Sequence, residues 1–158
     1  MRAWGLRQLG LGSSLLSDTA SGFRDRLGDI LLELDFEYRF PIATIGGVKL
    51  NSAFFVDMGN VWNLRNSAEN PESKLILSRF WQDIAIGAGT GLRFDFNYFL
   101  VRVDFAYKVK DPARHSNNGW MSIKDFEWQN HEYDIKDSNG QQVKRNNFAF
   151  QLGIGLPF

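Results

Sequence analysis

Residues 147–158 alternate in polarity to their end. Phe148, Phe150, Leu152, Ile154, Leu156 and Phe158 occupy one face of an extended chain, and Ala149, Gln151, Gly153, Gly155 and Pro157 the other. Successive side chains of a strand point to opposite faces, so a period of two held this long marks a strand whose sides meet different surroundings. Strands of soluble domains typically run about 5–6 residues. A strand crossing a bilayer needs about 9–11, with an apolar row toward lipid and a small or polar row toward the barrel interior. The segment therefore reads as a transmembrane strand.

The same alternation recurs upstream. Over 30–40 the row Leu32, Leu34, Phe36, Tyr38, Phe40 opposes Leu31, Glu33, Asp35, Glu37, Arg39; over 48–58, Val48, Leu50, Phe54, Val56, Met58, broken by Ser52, opposes Lys49, Asn51, Ala53, Phe55, Asp57. Over 82–96 the row Ile84, Ile86, Ala88, Leu92, Phe94, Phe96, weakened by Thr90, opposes Asp83, Gly87, Gly89, Gly91, Arg93, Asp95. Over 99–108, Phe99, Val101, Val103, Phe105, Tyr107 oppose Leu100, Arg102, Asp104, Ala106, Lys108. Charges stay on one side throughout. No stretch approaches the roughly 20 apolar residues of a spanning helix, so a bilayer must be crossed by strands, whose backbone groups are satisfied only in a closed sheet. With 18 Lys and Arg against 18 Asp and Glu, the chain carries no electrostatic footprint for nucleic acid.

Connections at 41–47 and 95–98 are short, whereas 63–80 and 111–146 are long and polar. Barrels keep short turns on the periplasmic side and long loops outside. On that orientation Phe40, Phe96, Tyr98, Phe99 and Phe158 form a lower aromatic girdle, and Trp62, Trp81 and Tyr107 an upper one. Asn139-Gly140, between YDIKD and QQVKR, signals a hairpin projecting from the last long loop. The start of the chain, MRAWGLRQLGLGSS, is interrupted by Arg2, Arg7 and Gln8 and lacks a secretion signal's apolar core. The smallest single-chain barrels have about eight strands, so the alternating segments are expected to be the carboxyl-terminal part of a longer barrel.

Catalytic readings fail on context. The glycines of 87–91 resemble a clipped dinucleotide loop, but LRFDFNYF continues the period of two where a helix should open; they are expected to leave lumen space or to let another segment approach the wall. Paired carboxylates on a polar row are more simply a hydrated lumen face than a glycosidase pair. His115 and His131 lack a spaced ligand set. Asp137, Asn139 and Gly140 only faintly suggest a calcium loop, since Phe148 stands where its bidentate Glu belongs. No Gly-x-Ser-x-Gly elbow occurs. The expectation is a non-enzyme with no catalytic residues, metal or cofactor.

Met1-Arg2-Ala3-Trp4 followed by RQLGLGS resembles the arginine-bearing tip of the extracellular loop that folds back into the barrel in the BamA/TamA superfamily of outer-membrane insertases. The likeness continues through FEYRFP, through FFVDMGNVW with Asp57, Gly59 and Trp62, through GTGLRFDF, and into the glycine-containing last strand of this bacterial surface antigen domain. Ala3 stands where many members have Gly. The resemblance implies an all-β chain: the last five antiparallel strands of a transmembrane β-barrel of about 16 strands. Residues 1–28 would be the lumen loop, and 29–158 the strands with long loops at 63–80 and 111–146. It also implies that Arg2, with Arg7 a weaker substitute, reaches Glu37 and Asp57, which the alternation places on the charged rows of adjacent strands.

Phe148, Phe150, Gly153, Gly155 and Phe158 would then belong to the strand at the lateral seam, with Gly155 at its kink. The implied activity is assembly and insertion of outer-membrane proteins in the bacterial outer membrane. The alternatives are a two-partner-secretion transporter barrel and a barrel anchoring a larger surface protein. Implied partners are the lipid bilayer, unfolded outer-membrane client proteins, accessory lipoproteins and the missing amino-terminal part of the same barrel.

Overall fold

The computed structural model describes residues 1–5, 9–14, 28–66, 71–114, 116–122, 130–136 and 142–156. Its strands are β1 (Ile30–Ile45), β2 (Val48–Trp62), β3 (Ala85–Asp95), β4 (Leu100–Lys110), β5 (Asn130–Lys136), β6 (Gln142–Asn146) and β7 (Phe148–Gly155). A five-stranded sheet runs β1-β2-β3-β4-β7, antiparallel at each step, and β5 pairs with β6 in a separate two-stranded sheet. The chain is all-β in its framework, and the main sheet is not closed. The hairpin expected in the last long loop is present, although Asn139-Gly140 lies outside the described residues.

Several boundaries differ from the alternation. The reversal expected over 41–47 is confined to Gly46 and Gly47, which adopt φ of 58° and 85° between the paired residues Ile45 and Val48. Positive φ at both centres gives the turn whose twist matches the flanking strands, so β1 continues through Pro41 to Ile45. The ladder absorbs the proline by shifting register between Pro41 and Ala43. β2 runs past Met58 to Trp62 because Gly59 lets it lie close to β1: a Cβ there would strike the Leu32 carbonyl. Residues 82–83 are not strand, since Phe80–Asp83 forms a helical turn before β3. At the 96–99 turn, Asn97 takes φ of 67° and its N–H donates to Asp95 Oδ1 at 2.9 Å, while the Phe96 and Phe99 rings stack at 4.7 Å.

The two rows separate as the alternation demands. Phe36, Phe54, Phe150 and Ile154 are exposed on the outer face, whereas Ala53, Phe55, Asp57, Asp104, Ala106 and Lys108 are buried on the inner one. The outer row's polar breaks are internally satisfied: Ser52 Oγ donates to the Gly91 carbonyl at 3.3 Å and Thr90 Oγ1 to the Ala53 carbonyl at 3.1 Å. A hydroxyl spent this way costs little against lipid. Trp81 and Tyr98 are exposed at opposite ends of the sheet. Trp62 is not a girdle residue: it is buried and stacks on Phe80 at 5.7 Å. The main apolar core lies on the inner face, where Ala3 and Trp4 pack against Phe55, Ala85 and Ala106.

Within the described sheet β1 and β7 each have one unpaired edge, and the outer face is an apolar surface. The isolated chain in detergent-free buffer is therefore expected to self-associate through edges and face. Sedimentation velocity should show polydisperse species; a monodisperse monomer with a cooperative thermal transition would contradict a lipid-facing outer row.

Candidate functional site

Cross-strand register builds a smooth track on the inner wall. Phe55, Gly89, Ala106 and Ala149 follow one another across β2, β3, β4 and β7, and Asp57 is followed by Gly87 and Lys108. The amino-terminal segment lies in this track. A Cβ added at Gly87 would sit 2.8 Å from Ala3 Cβ and 3.2 Å from Trp4 Cζ3. The Ala3 methyl thus fills space that Gly87 leaves, which accounts for an alanine at this loop position. Gly89 likewise makes room for Phe55, whose Cζ would lie 2.5 Å from an added Cβ.

Arg2 is the polar anchor of the segment. Its backbone N–H donates to Asp57 Oδ2 at 2.6 Å, Nη2 to Asp57 Oδ1 at 2.6 Å, Nε to both Asp57 oxygens at 3.1 Å, and Nη1 to Glu37 Oε2 at 2.5 Å. The guanidinium also lies over the Phe55 ring, with Cζ 3.7 Å from its centroid. A planar, permanently charged fork can meet two carboxylates and an aromatic face at once, which an ammonium cannot. Partial burial works against the charge, but hydrogen bonds to Asp57 and Glu37 outweigh it, so the guanidinium holds its proton more tightly than usual.

From Glu37 the charges continue across the wall. Glu37 accepts from Arg39 Nε at 2.7 Å and Arg93 Nη2 at 3.1 Å; Arg93 Nη1 in turn pairs with Asp104 Oδ1. Arg93 and Asp104 are both buried, and an added Cβ at Gly91 would collide with both. Arg102 Nε stands 3.9 Å from Asp104 Oδ2 and lies over Gly153, where a Cβ would meet it at 2.5 Å.

A second anchor lies toward the long loops. Buried Asn60 donates from Nδ2 to the carbonyls of Gly12 at 2.7 Å and Asp83 at 2.5 Å, and its Oδ1 accepts the Val61 N–H at 2.8 Å. The Gly12 N–H donates to the Val61 carbonyl at 2.7 Å, and Gly12 takes φ of 58° where a side chain would strike the Glu72 carbonyl. Lys110 Nζ closes the neighbouring turn by donating to the carbonyls of Trp81, Gln82 and Ile84 at 2.6, 2.7 and 3.1 Å.

The structure brings Arg2, Glu37 and Asp57 together, and places Phe148, Phe150, Gly153 and Gly155 on β7. Arg7 and Phe158 lie outside the described residues. Among the described residues nothing lies within 4 Å of an added Cβ at Gly155, so no close approach by them explains that glycine. Sequence reasoning missed Asn60, Arg93, Asp104 and Gln151. Asn60 had left a signal, a polar residue breaking the outward order of VDMGNVW, and Gln151 is the one polar side chain on the inner row of 149–157. Among the described residues no group of three His, Cys, Asp or Glu could hold a metal ion.

The track gives a direct test of loop docking. Gly87→Val puts two methyls where Ala3 and Trp4 lie, on a strand that otherwise tolerates a β-branched residue. Folded barrel should persist, with residues 1–5 becoming at least tenfold more accessible to protease; unchanged protection would mean that the segment does not lie on this wall.

The family model of the Omp85 superfamily domain matches residues 1–158. No curated protein and no solved structure matches the chain.

Proposed function

Because the chain belongs to the Omp85 superfamily, whose barrels insert or transport proteins at the outer membrane, we propose that it supplies wall strands and lumen loop of an integral outer-membrane insertase of the BamA/TamA type. Residues 1–28 are the loop, and the strands within 29–158 are the wall it docks on. The observation that carries this reading is the Arg2 clasp on Asp57 and Glu37, which fixes a loop inside a sheet whose outer face suits lipid.

β7 is the working strand. It is hydrogen-bonded to β4 along one edge, and no other strand of the described sheet pairs with its second edge. Such an edge templates another strand, so an unfolded client can add by β-augmentation, its apolar row aligning with Phe148, Phe150, Leu152 and Ile154. The rest of the barrel closes the sheet between clients, and the bilayer solvates the outer row. Nucleotide is not required, because the gain comes from strand pairing and from apolar area leaving water.

Depleting the complete protein in its host is expected to lower the folded outer-membrane barrel proteins, and photocrosslinkers at Phe150 and Leu152 to capture their unfolded precursors. Undiminished barrel proteins, with no precursor captured, would overturn the insertase role; capture of a secreted chain alone would point to transport.

A further inference from the structure

Gln151 Nε2 donates a hydrogen bond of 2.9 Å to the backbone carbonyl of Arg2. Sheet order is β1-β2-β3-β4-β7, so Arg2 is held from both edges: its guanidinium by Glu37 on β1 and its carbonyl by Gln151 on β7. Between them the wall offers Gly87, Gly89 and Ala106, which have no side chain long enough to come between loop and strand. The rest of the inner row of β7 is Ala149, Gly153 and Gly155, and none of these can donate from a side chain. We propose that Gln151 is a positioning residue that tethers the lumen loop to the last strand, so that displacement of β7 and release of the Arg2 clasp are coupled. The coupling rests on the proposed role of β7 as the strand that meets clients.

The tether joins two groups that are otherwise fixed separately. Arg2 is locked to β2 by its own N–H and side chain on Asp57, whereas among the described strands β7 pairs with β4 alone. If β7 swings away from the lumen, the Arg2 carbonyl loses its donor or the loop is drawn with the strand. Linkage makes the effect reciprocal: a loop freed from Asp57 must make β7 easier to displace by the same factor.

The test uses the complete barrel in bilayers and hydrogen exchange at the Arg2 amide, whose protection reports the bond to Asp57 Oδ2. Gln151→Met keeps length and removes the donor. Heat-modifiable folded yield should stay unchanged, and Arg2 protection should fall about two- to tenfold, the range of one neutral hydrogen bond. Gln151→Glu supplies a pH readout that packing would not move. Its carboxylate cannot donate, but its protonated form can, so its protection relative to wild type at the same pH should match Gln151→Met near pH 7 and recover toward wild type around pH 4, near the reference range of a glutamate.

Unchanged Arg2 protection in Gln151→Met, or Gln151→Glu protection that does not respond to pH, overturns the tether. The client role is scored apart: an unfolded outer-membrane barrel protein added to the wild-type barrel should lower the same protection. A wild-type barrel indifferent to that client, beside a Gln151→Met barrel with reduced protection, supports the tether and counts against the insertase reading.

Discussion

Replacing Arg2 with Ala is expected to destabilise loop docking by about 3–5 kcal/mol, the cost of stranding charges that have lost a shielded partner. Asp57 is fully buried, and in the β1–β2 register it stands directly opposite Asp35. Facing like charges are unfavourable across a strand pair, and the guanidinium offsets this. Glu37 suffers less, because Arg39 and Arg93 also hold it. The asymmetry sets the expected order: Arg2→Ala and Asp57→Ala severe, Glu37→Ala milder. Loop release measured by protease protection, across a double-mutant cycle of Arg2→Ala and Asp57→Ala, should give an interaction term of at least about 1 kcal/mol. Strict additivity would show that the two residues do not clasp.

On the outer face, Leu34→Arg and Phe150→Arg in the complete protein should each cost about 2–4 kcal/mol if near the bilayer midplane. Both side chains are exposed on the lipid row, at 48 % and 67 %. Glu33→Arg, one residue away on the other face, keeps its charge in the lumen and should be tolerated far better. The fraction of heat-modifiable folded barrel, read by gel mobility, measures all three. Equal loss from the two classes would reverse the assignment of faces.

Alternation made the sheet legible because a lipid-facing strand must satisfy one rule at every second residue, and five segments do so. It misread ends for local reasons. The Gly46–Gly47 pair turns the chain in less space than PIATIGG suggests, and Phe80–Asp83 coils where polarity still alternates. Trp62 looked like a girdle residue because the period of two was extended through Gly59 and Asn60, yet this end of β2 is covered: Asn60 and Trp62 are both buried, and Asn60 holds the carbonyls of Gly12 and Asp83. Arg2, Glu37 and Asp57 were nameable from motif likeness together with two charged rows. Arg93, Asp104 and Gln151 were not, since their partners are fixed by register between strands, and register depends on turns rather than on any one segment's pattern.

Arg2 and Gln151 are separated by 149 positions, almost the span of the whole chain. Contacts so distant in sequence form late, after the intervening loops have been closed. The segment that carries Arg2 precedes every described strand of the sheet in the chain, but its carbonyl has no donor until β7 is in place. Completion of the last strand is thus a condition for seating the loop fully, and a barrel truncated before Gln151 would carry its arginine on a half-fastened segment, open to proteases that ignore the finished protein.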